Sequence, residues 1–186
     1  DHDKREVICS DGVRIGFDYL IIGNGITTNH FGIPGAAEYT MSMYTRAEAL
    51  RVRDTIFGSL EIIAGRSDPN SAGFTVVIVG GGPTGVEMAG QQAELKTGAI
   101  PSTYPELNPS HIHVVLVEMT EHLLAPFDDS LRQYALRELI KRGVDVRLNT
   151  AISEVEADRV DFKDGSSMPV DLVIWAAGVS GDPQLK

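Results

Sequence analysis

The residues best suited to chemistry lie near the middle of the chain, where Gly80-Gly81-Gly82-Pro83-Thr84-Gly85 joins the β-branched apolar run Phe74 to Val79 to a stretch of helical composition, Val86 to Lys96. Strand, glycine loop and helix in that order can hold a dinucleotide pyrophosphate. Gly80 would permit the tight turn, Gly82 would let the backbone approach the phosphates, and Gly85 would let the helix pack closely on the strand. Pro83 suits the first helical turn, where its missing N–H costs nothing. A loop of this form also occurs as a purely structural turn; its place between a buried strand and a helix favours the nucleotide. A nucleoside-triphosphate loop needs Gly-Lys followed by Ser or Thr, and here Gly85 is followed by Val86-Glu87.

The next apolar run, Ile112 to Val117, ends at Glu118, the expected place for an acid that accepts hydrogen bonds from the adenosine ribose. Its distance from Gly85 exceeds the customary stretch of about 20 residues, an excess assigned to the loop Thr97 to Ser110 with its three prolines. An acid here disfavours the 2′-phosphate of NADPH, and no arginine occurs between Glu118 and Phe127 to welcome one, so NADH is the expected form. The alternative is a solvated carboxylate at a strand end. Ligands of open α/β sheets collect at the carboxyl ends of the strands. Gly82, Glu118 and the Ala177-Gly178-Val179 turn are therefore expected to converge on one crevice. His111 and His113 alternate along a strand start without cysteine or carboxylate partners, so no metal centre is expected there. His30 and His122 fall in loops, and Met41, Met43 and Tyr44 fit core or loop packing better than an interface.

The elements that must position these residues form an α/β pattern. Thr45 to Ala64 has helical spacing with Ala49, Val52, Ile56, Leu60 and Ile63 on one face, and Ser67 to Gly73 is a turn-rich connector. Asp128 to Arg142 reads as an amphipathic helix with Leu131, Tyr134, Ala135, Leu139 and Ile140 inward. Val144 to Leu148 is a third strand, Ile152 to Glu156 and Arg159 to Lys163 a hairpin, and Leu172 to Ala176 a last parallel strand. The fold class is a Rossmann-like parallel sheet with a β-hairpin or meander crossover.

The chain also repeats itself. Val7–Ile26 aligns without gaps on Val160–Val179, matching Asp11-Gly12 with Asp164-Gly165, Asp18 with Asp171 and Gly25 with Gly178. Each copy reads as strand, Asp-Gly turn, strand, glycine stop, although two hairpins can also resemble each other by chance. The second copy ends a unit that begins near Phe74. By the same logic the first copy is the tail of a unit whose start would precede Asp1, and the chain is expected to be part of a longer protein.

Composition narrows the function classes. Hydrophobic residues make up 42% and charged residues 23%, with 16 Lys and Arg against 26 Asp and Glu for a net charge of −10. No basic cluster interrupts the acidic balance, so nucleic acid is not an expected partner. No apolar run approaches the roughly 20 residues of a membrane span. Cys9 is the only cysteine, which excludes an intrachain disulfide or a CxxC pair and fits a cytoplasmic setting.

Phe74-Thr-Val-Val-Ile-Val-Gly-Gly-Gly-Pro-Thr-Gly-Val-Glu-Met-Ala-Gly90, with Trp175-Ala-Ala-Gly-Val179, resembles the type II NADH dehydrogenases, within the two-dinucleotide-domain flavoprotein oxidoreductases. Phe17 to Gly25 and Phe31-Gly-Ile-Pro-Gly35 look like that family's passage from FAD domain to NADH domain. Gly23-Asn24-Gly25 stands where that family usually has Ala-Thr-Gly, and the resemblance implies a flavin contact at Gly25.

The resemblance implies that NADH passes hydride to FAD and that electrons continue to quinone, with Glu87 beside the nicotinamide and flavin. The other reading of Glu87 is an acid in the first turn of a helix, favoured by the dipole. The resemblance further implies a remnant FAD-binding domain over 1–44, a helix and linker over 45–73, and an NAD(H)-binding domain over 74–180. FAD would belong to the full-length protein, the fragment alone would be inactive, and membrane contact would come only through a C-terminal segment absent here. The full-length protein would lie peripherally on the cytoplasmic face of the inner membrane; a homodimer is left open. The rival readings are another disulfide-type FAD/NAD reductase and a non-catalytic NADH-sensing module.

Overall fold

A computed structural model describes residues 1–71 and 73–181. They fall into two compact units, residues 1–26 together with Gly181, and Thr27–Ser180. In the first, β1 (Glu6–Ile8) and β2 (Arg14–Gly16) pair antiparallel, Val7 opposite Ile15. Asp11 closes their turn by accepting the Val13 N–H at 3.0 Å, and Gly12 adopts φ 87°, a left-handed conformation that glycine reaches without a Cβ clash. Leu20 to Ile22, expected as a strand, is irregular, and Tyr19 and Ile21 are each 94% exposed. A strand persists where a neighbour takes up its backbone groups, and among the described residues none pairs with this segment.

The chain then runs from β3 (Ile26–Thr28), in which the second unit begins, through α1 (Ala36–Tyr39), α2 (Arg46–Ala64), β4 (Phe74–Val79), α3 (Pro83–Thr97) and α4 (Ala99–Thr103). It continues with β5 (Ile112–Val117), α5 (Asp129–Lys141), β6 (Asp145–Arg147), β7 (Ile152–Val155), β8 (Arg159–Phe162), β9 (Ser167–Pro169), β10 (Leu172–Trp175) and β11 (Val179–Gly181). The central sheet has the order β10-β4-β5-β6, all parallel, with Val76 beside both Leu172 and Val114. Alternate residues face opposite layers. Val76, Ile78, Leu116 and Ile174 share a core with Val52, Ile56 and Leu60 of α2, Met88 and Ala93 of α3, and Leu139 of α5. Val77, Val115, Val117 and Trp175 pack on the other side with Ile152, Val160 and Phe162 of the antiparallel meander β7-β8-β9. Burial on both faces is why these strands read as continuous apolar runs, and each such side chain contributes about 1.5–3 kcal/mol.

Local chemistry fixes the helix ends. Thr45 caps α2: its hydroxyl accepts the Glu48 N–H at 3.2 Å while the Glu48 carboxylate accepts the Thr45 N–H at 2.8 Å, a reciprocal capping box. The Ser42 hydroxyl also donates to Glu48. Several expectations shift. Ala49 is exposed, and α2 buries Val52, Ile56, Leu60 and Ile63 alone. In α5, Leu131, Tyr134 and Ile140 are exposed while Leu139 is buried and Leu136 packs against the core; the helix turns the stripe 132/135/136/139 toward the protein, one residue round from the expected face. The segment from Thr97 to Ser110 is not a plain loop, because α4 and a 3-10 turn at Pro109–His111 form there, seated by buried Ile100, Tyr104 and Leu107. Residues of α2 and β4 pack into one shared core.

Candidate functional site

β4 ends at Val79, and the chain reverses through the glycine loop into α3. Gly80 has φ 110°, and a Cβ there would lie 2.6 Å from the Ala177 Cα, so the position excludes a side chain on both counts. A Cβ on Gly85 would lie 1.8 Å from the Gly80 carbonyl oxygen, which shows how closely α3 presses on the loop. Gly82 differs from both: at φ −73° its backbone is ordinary, and nothing lies within 4 Å of a Cβ placed there. Gly82 is also the N-cap of α3, with no side-chain cap and Pro83 next. The first N–H groups of this 15-residue helix thus have no side-chain cap, and an uncapped helix start attracts a phosphate through donors and dipole together.

Glu118, immediately after β5, is tied to this loop. Its Oε2 accepts the Gly81 N–H at 2.6 Å, and its Oε1 accepts the Thr120 N–H and hydroxyl, each at 2.8 Å. A carboxylate offers about four lone-pair sites, and with three of them taken Glu118 can still accept from a ribose hydroxyl. The Leu123 and Glu118 side chains crowd Gly81, where a Cβ would lie 2.7 and 2.9 Å from them.

Gly80, Glu118 and Ala177 line one cavity of about 380 Å³, within the usual size of a small-molecule site. Phe31, Val79 and Trp175 make part of its apolar wall, and Thr120, Thr150 and Lys163 stand at its polar edge. Gly82 and Gly178 do not line this cavity; they lie in the turns adjoining it. Gly178 accepts the Asn29 N–H at 3.0 Å and faces the Phe31 ring, and Val179, next along, is 45% exposed. Thr84 is half-buried and Pro83 exposed in the first turn of α3. Glu87 is exposed, the fifth residue of α3 and thus beyond its first turn. Gly25 belongs to the other unit, where it has φ 85° with open space around it.

The sequence reading missed several residues here. Phe31 occupies a left-handed conformation, φ 52°, uncommon for a bulky side chain, and the Asn29 side chain holds it by accepting its N–H at 2.8 Å. His30 packs against Trp175 with the rings tilted by 47° and 5.4 Å between centroids, and burial holds its pKa below the ordinary value. Lys163 is distant in sequence from the glycine loop and appeared only as the end of a hairpin. His111 closes the 3-10 turn and His113 is exposed on β5. The carboxylates of Glu154, Glu156 and Asp161 approach within 4.8 Å of one another, but Arg159 already bonds Glu156 at 2.6 Å and Asp161 at 2.9 Å. No helix among the described residues is long and apolar enough to cross a membrane.

Comparison with known proteins gives this geometry its context. The sequence profile of the pyridine nucleotide-disulphide oxidoreductases matches residues 1–186. An external alternative NAD(P)H-ubiquinone oxidoreductase B2, mitochondrial, of Arabidopsis thaliana is 31% identical over 98% of this chain and 33% of its own length. The type II NADH:quinone oxidoreductase NdhA of Mycobacterium tuberculosis is 32% identical over 90% of this chain and 37% of its own. Among solved structures, NDH2 from Plasmodium falciparum in complex with NADH superposes with a TM-score of 0.84 at 24% identity, over 97% of this chain and 39% of that one. The chain thus spans little more than a third of the relatives it matches.

Proposed function

The chain belongs to the pyridine nucleotide-disulphide oxidoreductase family, and from that premise we propose that it is the NADH-binding portion of a flavin-dependent NADH:quinone oxidoreductase. The observation that carries the reading is the uncapped N-terminus of α3 beside the open face of Gly82, with Glu118 fixed next to it. The relatives named as an alternative NAD(P)H-ubiquinone oxidoreductase and a type II NADH:quinone oxidoreductase support the reading.

In this reading the N–H groups at the start of α3 bind the pyrophosphate, and Glu118 accepts from the adenosine ribose. Gly80 to Gly85, Ala177, Gly178 and Val179 form the cradle, and Glu87 stands at the nicotinamide end. When bound, the flavin supplies the electron acceptor for hydride. One glycine loop of this kind leads into a helix among the described residues, so this chain's own residues account for one dinucleotide. Residues 1–44, Gly25 among them, are read as the contribution to the flavin side, with 45–73 as helix and linker and 74–180 as the NAD(H) domain. Quinone dissolves in the bilayer, so we place the whole protein peripherally on the cytoplasmic face of the inner membrane.

The test is calorimetric titration of the protein with NADH, followed by assay of the flavin-loaded protein for quinone-dependent NADH oxidation. Tight NADH binding with turnover supports the reading. Absence of NADH binding contradicts it.

A further inference from the structure

We propose that Lys163 is a second determinant of nucleotide choice: it shares the cavity with Glu118, and its ammonium takes up part of the charge of a 2′-phosphate, giving the site measurable affinity for NADPH. The inference rests on the reading that this cavity receives the adenosine end of a nicotinamide dinucleotide.

Lys163 lines the cavity together with Glu118, Thr120 and Thr150. The backbone fixes its distance. Thr150 N–H donates to the Glu118 carbonyl at 2.9 Å, and Lys163 N–H donates to the Ala151 carbonyl at 2.8 Å. Three neighbouring chain segments therefore run side by side from Glu118 to Lys163. Adjacent extended segments lie about 4.8 Å apart, which sets the two backbones roughly 10 Å from each other. A four-methylene stem spans most of that interval, so the ammonium reaches the space in front of the acid.

Charge bookkeeping supports the assignment. Lys163 is exposed and takes part in no ion pair among the described residues. The arginines on the neighbouring strands are engaged, Arg147 with Asp145 and Arg159 with Glu156 and Asp161. Glu118 contacts the ribose position directly and repels a phosphate there; Lys163 acts from farther off and offsets that repulsion only in part. NADH stays the preferred form, with NADPH admitted. An ammonium on a flexible stem suits this because it can follow a phosphate or withdraw into solvent.

Calorimetric titration of the unmutated protein, Lys163→Ala and Lys163→Arg with each nucleotide provides the test. Lys163→Ala should weaken NADPH by about tenfold, about 1.4 kcal/mol, and NADH by less than about twofold. Lys163→Arg should restore NADPH binding, and the NADPH loss should shrink as salt is raised. Equal losses for both nucleotides, or an unchanged NADPH affinity, overturn the assignment of Lys163 while leaving the site standing. Failure of the unmutated protein to bind NADH overturns the site and this inference with it.

Discussion

The backbone N–H of Gly81 donates to Oε2 of Glu118 across 2.6 Å, tying the acid that follows β5 to the second glycine of the loop that follows β4. One carboxylate thus shapes the glycine loop and, in the proposed reading, stands ready for the ribose. With Thr120 holding the other oxygen, the group is oriented before any ligand arrives, and binding loses little side-chain freedom.

Glu118→Ala removes both functions. Charged hydrogen bonds contribute roughly 1.5–3 kcal/mol each, so NADH should weaken by about tenfold or more, and the preference over NADPH should vanish. Glu118→Gln keeps an acceptor for Gly81 but loses the charge, so it should bind NADH better than the alanine variant while gaining NADPH affinity. Titration of both nucleotides checks this, and equal affinities in the unmutated protein would remove Glu118 from the role.

Gly85→Ala should destabilise the fold whatever happens to the ligand. The new Cβ would lie 1.8 Å from the Gly80 carbonyl oxygen and 3.0 Å from its carbon, and backbone cannot swing aside as a side chain can. A loss of about 3 kcal/mol or more is expected from overpacking at such a contact, read from the urea midpoint. An unchanged midpoint would mean that loop and helix are not so closely pressed.

Gly178→Ala meets a softer obstacle. Its Cβ would fall 2.5 Å from Phe31 Cζ, but Phe31 is 60% exposed and its ring can turn outward. The stability cost should stay near about 1 kcal/mol and should disappear in the Phe31→Ala background. A double-mutant cycle measures that coupling; a penalty that persists without the ring would show that Gly178 is needed for its backbone instead.

The cap of α2 predicts a pH dependence. Hydrogen bonds from the Ser42 hydroxyl, and from the Thr45 N–H and hydroxyl, hold the Glu48 carboxyl below its ordinary value of 4.5 against a smaller opposing effect of burial. The unfolded chain therefore takes up this proton first. The stabilisation is complete above about pH 4.5 and is lost as pH falls through the lower folded value. Glu48→Gln keeps the capping box but removes the charge at the helix start, so it should cost about 0.3–1 kcal/mol at neutral pH and should flatten the acid limb. An acid limb as steep as that of the unmutated protein would assign it to other groups.

The sequence showed the parallel strands plainly because burial on both faces writes continuous runs such as Phe74 to Val79. It also showed the internal repeat. Thr27 and Ser180, 153 residues apart, face each other with hydroxyl oxygens at 3.2 Å, and the equivalent turns hold Gly12 and Gly165 both at φ 87°. What it hid depends on the neighbours a segment finds. Leu20 to Ile22 has the composition of its counterpart β10, yet β10 is a strand because β4 runs beside it. The face of α5 escaped for the same reason, since three adjacent apolar residues suit either of two stripes until α3 selects one. Phe31 and Lys163 reach the cavity only through folding; no motif places them beside Gly80.

Gly82 offers the most direct test of the account. Its φ of −73° suits any residue, and a Cβ there meets nothing within 4 Å, so Gly82→Val should keep the native circular dichroism and lose no more than the roughly 1 kcal/mol that an apolar residue costs at an N-cap. The account predicts that NADH binding, measured by calorimetry on that folded variant, is abolished because the side chain occupies the approach to the N-terminus of α3. NADH binding at the unmutated affinity would show that the phosphates are held elsewhere and would contradict the account.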